Sequence, residues 1–324
     1  MLEHHVRDVM PARGGPHVEV RAGAAFELLI ALSASGGEDG SGELWLHLLG
    51  LALELPASTD AAGFVDAAAA IDPAELRRHL VGVHVPAWRE VAGAETLERA
   101  AAGDRAAAAE LLGNERYYAG KAGAALGPIL PLSPAQTKRR VVAALRRFVR
   151  ETFAQQEAAV VALLEEDART RRRLSGEALI ASATGGYVYE PEPELPRVVL
   201  IPHVAASPWL LLCQHRETRL ICYAIERASG DVEEALGERA LRLGRALGDE
   251  RRIRILRRLV AGEASLGELA ETAGLAKSTA HHHLSQLRAA GLVTMGGNAR
   301  GYWYRLRLDG IAEARALLGE LLVP

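Results

Sequence analysis

The stretch from Leu247 to Leu308 constrains the chain most, because its apolar spacing changes at fixed, punctuated positions. Ile253, Leu256 and Leu259 with Val260 recur at helical spacing in the segment that opens at Asp249. Ser265 and Glu268 have the spacing of a reciprocal cap, which starts a second helix with Leu266, Leu269 and Ala270 facing inward. Gly274 ends that helix, since glycine enters a left-handed turn without steric cost. A third helix is predicted over 277–290, with Ala280, His283, Leu284 and Leu287 on its inner face. Residues 292–295 and Tyr302 to Leu308 then flank a Gly-rich turn, which predicts a hairpin over 294–304.

Two helices joined across so tight a turn form a helix-turn-helix, whose second helix lies in the major groove of DNA. Lys277, Ser278, Thr279, His281, His282, Ser285 and Arg288 are the candidate DNA-binding residues of the 277–290 helix. They put short polar and cationic groups near a helix N-terminus, where open N–H groups favour phosphate. On the hairpin, Arg300 and Tyr302 suit contact with the phosphate backbone or the minor groove. Charge supports this partner. From Arg239 onward there are 14 Lys/Arg against 8 Asp/Glu, a net of +6, which leaves −9 for the preceding residues. His281, His282 and His283 are not read as a metal site, because adjacent helical residues point about 100° apart. His283 is expected to pack inward while His281 and His282 meet DNA.

The preceding three quarters of the chain is less specific. A length of 324 residues suggests about two domains. They are placed at 1–236, an α-rich regulatory and dimerisation unit, and 237–324, the DNA-binding unit. The fold class expected is mainly α with a small β component: an N-terminal α+β domain followed by a C-terminal winged helix-turn-helix. Asp72 to Glu75 and Ser133 to Gln136 are capping boxes, the second opening the longest helical segment, up to about Arg173. His17 to Arg21, Tyr187 to Tyr189, Val198 to Ile201, Trp209 to Cys213 and Arg219 to Ile225 alternate or run apolar as strands do. A small antiparallel sheet over about 185–226 is expected from them. Glu190-Pro-Glu-Pro-Glu194 reads as a stiff polar loop.

Cys213 and Cys222 are the two cysteines, and with His215 they share one face of a hairpin turning at Arg216-Glu217. Buried, inert thiols are the plain reading. A thiol or metal sensor made of these three residues is the alternative. No G-x-S-x-G, P-loop, G-x-G-x-x-G after a strand, or H-E-x-x-H occurs. No catalytic residue, resident metal, cofactor or enzymatic activity is therefore expected. An enzymatic or protein-binding N-terminal module tethered to DNA stays open as the other class of function. The N-terminus lacks a continuous apolar core, and no apolar run approaches ~18 residues, so a cytoplasmic protein without a membrane partner is expected.

Leu247-Gly-Asp-Glu-Arg-Arg-Ile-Arg-Ile-Leu256, Ser278-Thr-Ala-His-His-His-Leu284 and Leu287-Arg-Ala-Ala-Gly-Leu-Val293 together resemble the ArsR/SmtB-type bacterial transcriptional regulators. The resemblance covers about 239–322. The strand-rich segment ahead of it is similar to the extra N-terminal domain of long actinobacterial members. The resemblance implies double-stranded DNA as partner, a homodimer, and more often repression than activation. Dimer contacts would come from a last helix capped by Asp309, with Ile311, Ala314, Leu317, Leu318 and Leu321 as its apolar stripe. The N-terminal domain is expected to be regulatory, through a small-molecule effector, through the dimer, or both. Two departures stand out. Ala276 replaces the family's frequent capping Ser, and the family's metal-binding Cys and Asp/His pairs are missing from 266–273 and 311–322.

Overall fold

A computed structural model describes residues 15–36, 41–225, 232–298 and 301–322. The wing-tip Arg300 and the Gly-rich loop at 37–40 lie outside them. Short helices fill most of the first half of the chain, from Ala24–Ser35 to Gly176–Thr184. Their starts follow local chemistry. Asp60, Asp72 and Asp104 each accept bonds from open N–H groups of the helix that follows, and Ser133 with Gln136 closes the expected box. At Asp72 the box is incomplete: Glu75 does not bond back, and its carboxylate turns to His84 instead. The long segment after Ser133 is not one helix. Pro134–Phe148 passes through a π turn, Val149–Phe153, before Glu157–Thr170 resumes.

The expected small antiparallel sheet is a mixed one. Arg197–His203 lies at its centre and pairs parallel with both His17–Val20 and Thr218–Ala224, while Leu211–His215 joins Thr218–Ala224 antiparallel. Alternation fixes which side chains share a face; it does not fix direction or partner. Both faces of the central strand are buried, as its run of Val198, Val199, Leu200 and Ile201 requires. Val199, Ile201, Leu220 and Cys222 meet the helices of residues 24–153. Val198, Leu200, Ile221 and Tyr223 meet a second core that continues through Leu243, Ile255, Leu269 and Leu284. The sheet is thus the wall between the two cores. The helix Val232–Leu247 crosses position 236 without a break.

The last third repeats the sequence reading closely. Asp249 caps Glu250–Val260, and Ser265 with Glu268 caps Leu266–Ala273. The helix Lys277–Ala289 and the hairpin Val293–Asn298/Gly301–Leu306 follow. Arg252 ties the helices together. Its buried guanidinium donates to the carbonyls of Ala246 (2.8 Å) and Arg245 (2.6 Å), to Gln286 Oε1 (2.6 Å) and to His283 Nδ1 (3.2 Å). The final helix, Leu308–Leu322, starts two residues earlier than a cap at Asp309 allows, so Asp309 lies in its first turn.

Candidate nucleic-acid interface

Gly274, at φ 67°, makes the turn between Leu266–Ala273 and Lys277–Ala289. Ala280, Leu284 and Leu287 fix the second helix against the core, and His283 is buried with them. Ala276 gives that helix no side-chain cap, so its first N–H groups are left to an outside acceptor. Lys277, Ser278, Thr279, His281 and His282 surround this end and are exposed. An anion placed there meets a positive helix end, an ammonium and two hydroxyls.

The other predicted residues are placed differently. Ser285 is buried, with Oγ 3.5 Å from the Pro208 carbonyl. Arg288 donates to the Thr184 carbonyl at 3.3 Å. Tyr302 is half-buried and borders the same cleft as Arg219. The C-terminal half of the helix therefore faces the sheet-bearing body rather than solvent. Nearer the helix start, exposed His281 also touches the body, its ring stacked on the Trp209 indole at 5.1 Å. Lost hydration there, followed by the nearby Arg288 and His282, holds its pKa below the usual histidine value.

Trp209 is held in place by its neighbours. Buried Glu27 accepts bonds from the N–H groups of Val204 (3.1 Å) and Ala205 (2.9 Å), and the Trp209 carbonyl lies 3.1 Å from His203 Nε2. The wing is engaged too. Val188–Tyr189 pairs parallel with Val293–Asn298, and Tyr187 Oη donates to the Gly297 carbonyl at 2.8 Å. Trp303 Nε1 donates to Glu190 at 3.0 Å. The loop 190–194 is polar as expected and largely exposed, but its middle residue turns inward. Glu192 is buried in it and pairs with Arg219 through contacts of 2.8 to 3.0 Å. Sequence reasoning missed Trp209, Thr184 and Glu190 as neighbours of the helix and wing. The Tyr187-Val-Tyr189 alternation did mark a strand there, without naming its partner.

Cys213 and Cys222 share a face as expected, Cys213 lying opposite Leu220. A hydrogen bond between the thiols holds Cys213 below, and Cys222 above, the ordinary cysteine range. The ring of His215 lies with the imidazoles of His79 and His84, 5.5 Å from each.

The recognition helix, the helix before it and the two-stranded wing define a winged helix-turn-helix. Residues 247–296 match the family described as "Helix-turn-helix domain". The chain is 44% identical over 81 residues to the HTH-type transcriptional regulator CmtR of Mycobacterium bovis, covering 25% of this chain and 66% of that one. It is 33% identical over 76 residues to the nodulation protein NolR of Rhizobium meliloti, covering 24% and 62%. Among solved structures, NolR from Sinorhizobium fredii is 31% identical with a TM-score of 0.24, covering 30% of this chain and 97% of that one. A homodimeric winged helix-turn-helix DNA-binding domain from Mycobacterium bovis is 29% identical with a TM-score of 0.25, covering 30% and 89%. The C-terminal quarter of the chain is a winged helix-turn-helix similar to those of these regulators, and the chain spans less than two thirds of the length of the curated relatives it matches. No described helix is long and apolar enough to cross a membrane.

Proposed function

We propose that this protein is a sequence-specific transcriptional regulator that binds double-stranded DNA as a homodimer, most simply as a repressor. Residues 237–324 serve as the DNA-binding unit and 1–236 as its regulatory body. The observation that carries the reading is the exposed, uncapped start of the helix Lys277–Ala289, with Lys277, Ser278, Thr279, His281 and His282 around it. A dimer is supported by an apolar groove of about 460 Å³ between the last helix and Glu250–Val260. Its wall includes exposed Leu247, Ile253, Val260, Ile311 and Leu318, more apolar surface than a single helix pair needs to leave in water. Two such units related by a two-fold axis read half-sites one helical turn apart. Selection from random duplexes tests this directly. A pseudo-palindrome with that spacing is the expected outcome, and a pool with no enriched sequence contradicts it.

DNA reading by Ser285, Arg288 and Tyr302 requires the body to withdraw from them. The docked arrangement is therefore the DNA-poor state, and whatever favours release raises affinity. Trp209→Ala removes the stack on His281 and is expected to tighten operator binding by about 3- to 10-fold, as loss of roughly 0.5–1.5 kcal/mol of aromatic contact implies. Unchanged or weaker binding by the folded variant contradicts the docked-state reading. Protonation acts in the same direction. The His281 pKa is lowered in the docked state and returns toward about 6.5 once the ring is free, so protons bind the released state better. Affinity is expected to rise as pH falls from 7.5 to 6, measured with folding monitored in parallel. A flat or inverted profile counts against it.

An effector has a place to act. A cleft of about 910 Å³ separates the body from the start of the recognition helix, and Trp88, His47, Cys213, Lys277, His281 and Tyr302 line it. A ligand bound there shifts DNA affinity to the extent that it prefers the docked or the released state. An aromatic anion suits walls made of rings and a lysine.

A further inference from the structure

Four side chains that the DNA-binding reading does not use meet at the end of Leu211–His215 farther from Trp209. Glu75, released from its helix cap, has Oε1 3.0 Å from His84 Nε2 and 3.8 Å from His79 Nε2. Arg78 Nε lies 3.1 Å from the other oxygen, an ion-pair contact without hydrogen-bond geometry. Donor atoms of Glu75, His79 and His84 lie within 4.8 Å of one another. The His215 ring lies 5.5 Å from those of His79 and His84, and the Arg216 N–H donates to the His84 carbonyl at 2.7 Å, which clamps the two segments together.

A purely structural role explains this poorly. His79 is 2% exposed, yet its Nδ1 makes no hydrogen bond, and His215, 6% exposed, has its Nε2 3.5 Å from Glu54 Oε1. Native interiors seldom leave such groups unpaired.

We propose that Glu75, His79 and His84 bind a divalent first-row transition ion of the zinc class, with His215 beside the open fourth position. Two imidazoles and one carboxylate are the donors such ions prefer, whereas calcium and magnesium call for an all-oxygen set. Tetrahedral ligands at about 2.0–2.2 Å from the ion stand roughly 3.3 Å apart, so the Glu75–His84 pair at 3.0 Å widens slightly on binding while His79, 3.8 Å from Glu75, moves in. The site does not rest on the DNA-binding reading.

Cobalt(II) titration of the chelator-treated full chain, followed by displacement with zinc(II), tests it. One equivalent is expected to bind, with visible d–d bands and no thiolate charge-transfer band. His84→Gln and Glu75→Gln are expected to weaken binding at least 10-fold. Cys213→Ser is expected to leave it unchanged. Glu75 is exposed enough for Glu75→Gln to keep its packing, and circular dichroism checks both variants. Absence of binding, equal affinity in the two folded variants, or a thiolate band lost in Cys213→Ser would each overturn the assignment.

Discussion

Arg219→Ala is expected to destabilise the protein by about 3–5 kcal/mol, the scale for removing one partner of a buried ion pair. The side chains of Arg219 and Glu192 are 6% and 4% exposed, and the guanidinium reaches both carboxylate oxygens. It also donates to the Cys213 carbonyl at 3.2 Å. Removal strands a carboxylate whose other bonded neighbour is the Tyr189 hydroxyl at 3.1 Å. That hydroxyl cannot replace a charge. Chemical denaturation measures the loss, and Glu192→Leu with Arg219→Met is expected to recover much of it, because no charge is then left buried. A loss below about 1 kcal/mol for Arg219→Ala would show that water reaches the pair. The effect extends to the wing, since residues 188–190 lead from the strand on Val293–Asn298 directly into the Glu192 loop.

Ile311→Glu combined with Leu318→Glu is expected to weaken operator binding by on the order of 100-fold or more, because each half-site then binds alone and the advantage of linkage is lost. Both residues are 41–44% exposed on the last helix and border the apolar groove. Neither belongs to the buried core, so a carboxylate at each leaves the fold intact while placing like charges across the proposed two-fold axis. Analytical ultracentrifugation is expected to report monomers, and anisotropy the weaker binding. A variant that stays dimeric at micromolar concentration would move the dimer surface elsewhere.

The parts legible in the sequence are those with local causes. Ser265 with Glu268, the left-handed Gly274 and the cap at Asp249 bound their helices with no help from distant residues. His283 was placed inward by spacing alone, and it packs against Arg252. Contacts made by distant segments were not legible. The pairing of His17–Val20 with Arg197–His203 joins strands far apart in the chain, and nothing in either strand specifies its direction. The polar loop at Glu190 to Glu194 gives no sign that Glu192 turns inward to meet Arg219. Ser285 and Arg288 lie on the polar face of their helix, yet that face meets Pro208 and Thr184. Glu75 has the spacing of a cap residue and is drawn off by His84, nine positions later. Polar spacing tells which residues share a face; it does not tell what that face meets.

Fluorescence anisotropy of the full chain on duplex DNA from upstream of its own gene, against scrambled DNA across a salt series, tests DNA-directed regulation most directly. Tighter binding to the upstream duplex is predicted, with affinity falling steeply as salt rises because Lys277, Arg300 and their basic neighbours displace counterions from phosphate. No binding to either duplex at low salt, by folded protein and by its Trp209→Ala variant alike, would contradict it.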